Sequence, residues 1–342
     1  MDATQSPAVL HARPRSRAAV EFALDNLVWI VLILVLAGFS ATIPNFFQAG
    51  ILINILEQST FVGILAVGLS MVIIAGQMDL SIESVMALSA MVTAVIFGSN
   101  GAGLHYSFTP SWLNLPVSVA IAVGLGALIG ATNAWLIVGL KINSFIVTLA
   151  SFIWVRGLVV ALSGGRSVYG LPEEIRLVAV TSLLGIPLLA WITALVFIVF
   201  AFVLTRTPFG RHVVMVGGNA TAAYRAGIRV DRLLATALVL SGATAGFAGW
   251  LLAARTAGAT ANLGTGMLFE VFAAVVIGGV SLQGGVGRLS GVFAGVLLLS
   301  AISTAINVMG MPPHYTLVIR GALVLVAILL DTVKLSVRRR LS

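Results

Sequence analysis

Leu27-Val28-Trp29-Ile30-Val31-Leu32-Ile33-Leu34-Val35-Leu36-Ala37-Gly38-Phe39-Ser40-Ala41-Thr42-Ile43 contains no charged side chain and ends at Pro44. A helix needs about 20 apolar residues to cross hydrocarbon, and this run approaches that length. Arg13, Arg15 and Arg17 precede it, as they would precede either a signal peptide or a first span. No small-residue cleavage site stands out, and more apolar runs follow, so a retained first span is expected. Those runs lie at 59–76, 84–98, 115–140, 142–163, 186–204, 234–253, 268–282, 290–310 and 316–334. The fold class is therefore all-α and polytopic, with about ten transmembrane helices. The runs at 84–98 and 268–282 are short, unless the first begins near Asp79.

Composition agrees. Of 342 residues, 59% are apolar and 9% are charged, where a soluble domain carries about a quarter charged residues. A soluble enzyme, a disordered chain and a nucleic-acid module are excluded. The net charge of +8 reflects basic residues gathering in cytoplasmic loops rather than a nucleic-acid partner. Cysteine is absent, and His11, His105, His212 and His314 are scattered, so no metal site and no catalytic residue is expected.

Orientation follows from arginine and lysine placement. With the N-terminus inside, the inner segments hold Arg13, Arg15, Arg17, Lys141, Arg206, Arg211, Arg225, Arg229, Arg232, Arg288, Lys334, Arg338, Arg339 and Arg340. The outer segments hold only Arg166, Arg176 and Arg255. Both termini are thus expected in the cytoplasm. The chain divides into an N-terminal tail (1–26), a membrane domain (27–334) containing a basic cytoplasmic loop (205–232), and a basic C-terminal tail (335–342). Two weak internal echoes suggest duplication: Val155–Val159 with Ile319–Leu323, and Val72–Gly76 with Val275–Gly279.

Ionisable groups inside a bilayer cost roughly 2.5–3.5 kcal/mol each, so those that persist face a partner or a cavity. Asp79, Glu83, Arg156, Glu270 and Arg320 are the candidates. The segment Gly76-Gln77-Met78-Asp79-Leu80-Ser81-Ile82-Glu83-Ser84 supports two readings. One is a short cytoplasmic turn with Asp79 or Ser81 capping the next helix and Glu83 complementing its dipole. The other is a broken helix lining a translocation path, with Asp79, Ser81, Glu83 and Glu270 along it. Arg156 and Arg320 each precede a glycine, and either could pair with Glu270 or snorkel to an interface.

Gly126-x-x-x-Gly130, Gly242-x-x-x-Gly246 and Gly287-x-x-x-Gly291-x-x-x-Gly295 offer small-residue faces for close helix approach. In the 205–232 loop, Gly217-Gly218-Asn219 precedes Ala220–Ala226 and Gly227. Asn219 suits an N-cap and Gly227 a C′ position, which predicts a two-turn helix between them. So short a helix needs packing to be ordered, either in a groove on a cytoplasmic partner or on the protein's own face.

No nucleotide motif is present. Lys141 and Lys334 are the only lysines, and neither stands in a G-x-x-x-x-G-K-[ST] setting. Gly285-Val286-Gly287 is followed by Ser290 where a third glycine belongs. Active transport would then draw on an ion gradient or a separate ATPase. Asp79 and Glu270 lie near the expected span ends, which favours the ATPase.

Four segments in order carry a family likeness. Gly76-Gln77-Met78-Asp79-Leu80-Ser81-Ile82-Glu83-Ser84 resembles a G-G-I-D-L-S-V-G-S segment. Phe145-Ile146-Val147-Thr148-Leu149 with Arg156-Gly157 resembles F-I-x-T-L…R-G. Arg206-Thr207-Pro208-Phe209-Gly210-Arg211 with Gly217–Ala223 and Gly227-Ile228 resembles R-T-x-F-G-R…G-G-N-x-x-A-A…G-I. Glu270, Ala273–Gly279 and Gly284-Gly285-x-Gly287 resemble E-x-x-A-A-V-V-I-G-G…G-G-x-G. The chain resembles permease subunits of bacterial ABC importers for monosaccharides of the ribose/xylose/galactose type. It departs from them at Gln77, at Met78, and at Glu83, where the family usually has glycine.

The resemblance implies about ten helices in a homodimer or a heterodimer with a related permease, in the bacterial inner membrane. It implies a cytoplasmic ATP-binding subunit holding ATP and Mg²⁺, with no cofactor on this chain, and a periplasmic or lipoprotein sugar-binding protein. It also places a coupling helix in 217–228, with Gly218, Asn219, Ala222, Ala223 and Gly227 at the ATPase interface. A permease for branched-chain amino acids or nucleosides, an ion-coupled secondary transporter and a membrane-embedded transferase are the alternative classes.

Overall fold

The computed structural model describes residues 26–311 and positions 318, 319, 321, 322 and 325. In chain order the apolar helices begin with α1 (Leu27–Thr42), α2 (Ala49–Ile74) and α3 (Ile82–Phe97). Next come α4 (Asn114–Ala134), which runs on into a π-helical turn at Trp135–Gly139, and α5 (Ser144–Ser163). A surface helix, α6 (Glu173–Val180), precedes α7 (Leu188–Arg206), α8 (Pro208–Gly218) and α9 (Ala220–Arg225). The chain then forms α10 (Val230–Thr256), α11 (Met267–Ile277) and α12 (Leu289–Val308). Two short antiparallel ladders complete it. β1 (Val168–Tyr169) pairs with β4 (Gly258–Ala259), and β2 (Ser182–Leu183) with β3 (Ile186–Pro187).

Nine apolar helices among the described residues match nine of the expected runs. Six are long and apolar enough to cross a membrane, and α1, α3 and α11 are shorter. The tenth run, 316–334, lies outside the described residues but for the five isolated positions. α2 starts at Ala49, ten residues before the expected 59. The reason is a long-range pair: Glu57, which breaks the apolar run in sequence, accepts from Arg255 Nη2 at 2.7 Å.

α10 is the hub. It packs on α4, α3 and α2, and α2 is itself buried from Ser59 to Ile74. The α4–α10 contact joins the two predicted glycine faces. A Cβ on Gly126 would collide with the Gly242 carbonyl oxygen, and one on Gly242 with that of Gly126. A Cβ on Gly246 would strike the carbonyl of Ala122. The third face works in the same way against α11. Gly291 meets the carbonyl of Gly278, and Gly295 that of Ala274. Close backbone approach replaces the hydrophobic drive that lipid cannot supply.

The helix order contains an inverted arrangement. A long helix (α2), a non-helical break (75–81) and a shorter helix (α3) are matched by α10, a break (257–266) and α11. The end of α2 meets Gly285, whose N–H donates to the Ile74 carbonyl at 2.8 Å. The end of α10 lies at the opposite end of the bundle, beside the β1–β4 ladder. The two units therefore run in opposite senses, as in many transporters. The Val72–Gly76 echo of Val275–Gly279 does not follow this arrangement, because it equates the end of α2 with the end of α11. Arg320 and Leu323 of the other echo fall outside the described residues.

Replacing Gly242 with leucine should destabilise the bundle by about 1–3 kcal/mol through overpacking. Gly124, whose Cβ would meet nothing within 4 Å, should accept alanine silently. Thermal unfolding of both variants in nanodiscs checks this.

Candidate functional site

The break at 75–81 re-enters the bundle. Ser241 Oγ donates to Asp79 Oδ2 at 2.7 Å, and Ser241 lies eleven residues into α10, about 16 Å along its axis. This overturns the short cytoplasmic turn and the span-end position expected for Asp79. Ser81 makes no capping bond with its side chain. Instead Asp79 Oδ1 accepts from Ser81 N–H at 3.0 Å and from Ser81 Oγ at 2.6 Å. Ser144 Oγ, on α5, accepts from Met78 N–H at 3.3 Å.

From Ser81 a polar relay crosses three helices. Asn133 Nδ2 donates to Ser81 Oγ at 3.1 Å, and Ser151 Oγ donates to Asn133 Oδ1 at 2.6 Å. Trp154 Nε1 donates to Ser151 Oγ at 3.3 Å. A tryptophan that can only donate stands at one end and a carboxylate at the other, so each hydroxyl between them accepts once and donates once. Sequence reasoning missed Asn133, Ser151, Trp154 and Ser241. Their signal was a lone polar residue within an apolar run.

Glu83, in the first turn of α3, was expected to complement its own helix. It serves another. Its Oε2 accepts from the backbone N–H groups of Gly266 at 3.1 Å and Leu268 at 2.9 Å. These are the N-cap and second residues of α11, so a carboxylate from α3 caps α11. Glu83 Oε1 accepts from Arg156 Nη2 at 2.8 Å. Arg156 Nη1 donates to the carbonyls of Leu263 at 3.0 Å and Ala261 at 3.3 Å. The expected pairing of Arg156 with Glu270 is corrected: Arg156 pairs with Glu83, because the break at 257–266 brings both groups to the start of α11. Glu270 is buried, with Ser303 Oγ at 3.4 Å, and Arg320 lies outside the described residues. Asp79, Ser81 and Glu83 are each at most 2% exposed. Among the described residues, no group of three or more His, Cys, Asp or Glu side chains is placed to hold a metal ion.

The basic loop reaches this centre through glycines. Thr207 Oγ1 caps α8, accepting from Gly210 N–H at 3.3 Å. Asn219 Oδ1 caps α9, accepting from Ala222 N–H at 2.9 Å, and Gly227 has φ +82° just after it. The predicted caps hold, although the helix is six residues long. Gly218, Asn219, Ala222 and Gly227 are exposed. Ala223 is buried, and its carbonyl accepts from Ile228 N–H at 3.1 Å. It faces this chain, because one turn of α9 must pack inward to be ordered, and Tyr224, 72% exposed, faces out instead. Gly217 fits against Ile74 and Gly285, where a side chain on Gly217 would collide with the Ile74 carbonyl. A Cβ on Gly284 would come 2.8 Å from the Gly217 carbonyl and 2.9 Å from Gly76 Cα. The loop thus touches the backbone at the start of the 75–81 break.

Residues 51–328 match the family described as the permease component of the branched-chain amino acid transport system. The chain belongs to this family of multi-pass membrane transport components. It is 35% identical to the L-arabinose ABC transporter permease protein AraH of Azospirillum brasilense, over 98% of this chain and 95% of that one. It is 34% identical to the ribose import permease protein RbsC of Escherichia coli strain K12, covering 89% of this chain and 92% of the relative. RbsC of Bacillus subtilis strain 168 is also 34% identical, over 85% and 87%. No solved structure matches.

Removing either partner of a buried ion pair costs roughly 3–5 kcal/mol. Arg156→Ala, which strands the buried Glu83 carboxylate, should lose stability on that scale, and Glu83→Ala, which strands a 20% exposed guanidinium, should lose less. The double variant should lose less than the sum of the two. Strict additivity in nanodisc unfolding would show that the two groups do not act as a unit.

Proposed function

We propose that the chain is the membrane-spanning permease subunit of an ATP-driven importer for a monosaccharide of pentose or hexose size in the bacterial inner membrane. Similarity along nearly the whole chain to permeases named for arabinose and ribose carries this reading. A cytoplasmic subunit binds and hydrolyses ATP with Mg²⁺, and this chain holds no cofactor. A periplasmic or lipoprotein binding protein delivers the sugar. A second permease copy, identical or related, completes the path.

The end bearing the 205–232 loop faces the cytoplasm, with both termini on the same side. Lys141, Arg206, Arg211, Arg225, Arg229, Arg232 and Arg288 gather there, against Arg166, Arg176 and Arg255 at the other end. The exposed side of α9, with Gly218, Asn219, Ala222, Tyr224 and Gly227, seats in the ATPase. Motion of α9 passes through Gly217 to Gly76 and Gly284, and so to the 75–81 break, which Glu83 ties to the second one. ATP can drive this only if the ATPase contacts α9 differently in its two states. Asp79, Ser81, Glu83 and Glu270 stand along the path, holding its walls by the bonds described above.

Reconstituting the chain with its neighbouring ATPase and binding protein should give ATP-dependent uptake of radiolabelled ribose or arabinose. Accumulation by the chain alone, under a proton or sodium gradient, would overturn the reading in favour of a secondary transporter. Ala222→Glu, at an exposed position, should leave the melting temperature intact and abolish coupled uptake. Normal uptake by that variant would remove α9 from the ATPase interface. Asp79→Asn should still assemble but transport more slowly, and unaltered initial rates would take Asp79 off the path.

A further inference from the structure

Arg156 lies twelve residues into α5 and seven from its end, about 18 Å and 10 Å along the axis. That depth is within the hydrocarbon thickness of a bilayer. Its side chain is nevertheless 20% exposed. A partly exposed arginine at this depth turns its free N–H groups to water or protein, since hydrocarbon offers them no acceptor. The rest of the guanidinium is fixed. Nη2 is held by Glu83, and Nη1 by the carbonyls of Leu263 and Ala261. An arginine has five N–H donors. Among the described residues, Nε–H and the second Nη2 hydrogen have no acceptor.

The adjoining surface of α5 is open. Gly157 follows Arg156, and a Cβ there would meet nothing within 4 Å, so no packing within the chain requires glycine. Ile153 and Val160, one turn away on either side, are exposed too. We propose that Arg156, positioned by Glu83, is a binding contact for the solute midway through the bundle, and that Gly157 leaves the room for it. The chemistry selects the ligand class. Glu83 neutralises the guanidinium, so the site does not attract anions as a bare arginine would. Two oriented N–H donors beside a gap suit an uncharged polyhydroxylated molecule, whose hydroxyl oxygens accept. The inference rests on the sugar-importer reading and adds where and how the sugar is held. It makes Arg156 a binding residue and Glu83 a positioning residue.

The test uses the complete importer in liposomes, with the pentose that the wild type accumulates and a monodeoxy analogue that the binding protein still holds. Arg156→Lys keeps the charge but loses the planar fork. It should lower maximal uptake about tenfold or more, the effect of losing one or two charge-assisted hydrogen bonds. It should also change the ratio of pentose to deoxy-analogue uptake, which a purely structural role would not do. The concentration of loaded binding protein at half-maximal rate should stay the same. Gly157→Leu should fill the gap and block uptake at an unchanged melting temperature, and it decides the matter where Arg156→Lys fails to fold. Wild-type rates and ratios in Arg156→Lys, or normal uptake by Gly157→Leu, would overturn the inference alone. Absence of pentose uptake by the wild-type importer would overturn the function proposed above, and this inference with it.

Discussion

The Glu83 carboxylate sits between helices, with the Arg156 guanidinium on one oxygen and two backbone N–H groups on the other. The bundle depends on this arrangement because a break in an apolar helix leaves backbone groups that hydrocarbon cannot satisfy. Two side chains satisfy four backbone groups of one broken segment: the N–H groups of Gly266 and Leu268 and the carbonyls of Ala261 and Leu263. Glu83 alone would be a buried charge. Together they are a neutral unit that terminates α11 inside the bundle. The other break is treated similarly, with Ser144 accepting from Met78 and Asp79 from Ser81. Irregular backbone is therefore held by named polar partners at both places.

Around these breaks, glycine seams set how closely the helices approach. α4 against α10 and α12 against α11 meet backbone to backbone. Such seams carry few interlocking side chains, the Trp250 Nε1 bond to Ser118 Oγ across α10 and α4 being one. A helix can slide or tilt against its neighbour without a large rotamer penalty, whereas a seam of interdigitated leucines would resist. The polar units then act as fixed points in an otherwise smooth set of contacts. That combination suits a machine which must shift between two packings.

Features set by neighbouring residues were legible in the sequence. Asn219 and Gly227 bracket α9 because capping depends on residues a few positions apart. The G-x-x-x-G pairs were legible as contact faces, though not as partners of one another. Pairings over long separations were hidden. Glu83 and Arg156 are 73 residues apart, and no periodicity links them. The start of α2 was obscured because Glu57 looks like a polar boundary until Arg255, 198 residues away, is placed beside it. The face of α9 was misjudged at Ala223, since a run of alanines has no polar contrast to show which side turns inward.

Glycines also decide how force from the 205–232 loop would travel. At Gly217, Gly76, Gly284 and Gly285 the backbones touch directly, and a side chain on Gly217 would collide with the Ile74 carbonyl. A contact without intervening side chains transmits a displacement with little loss, because no rotamer can absorb it. The displaced backbone at Gly76 continues three residues later into Asp79, which is tied to Ser241 on α10. Four residues beyond Asp79 stands Glu83, tied to α5 and to α11. A shift of the loop therefore cannot remain local: it must either stretch those bonds or carry α10, α5 and α11 with it. The short, strongly held segment from Gly76 to Glu83 makes the second outcome the cheaper one, and it places both broken spans under the control of one lever.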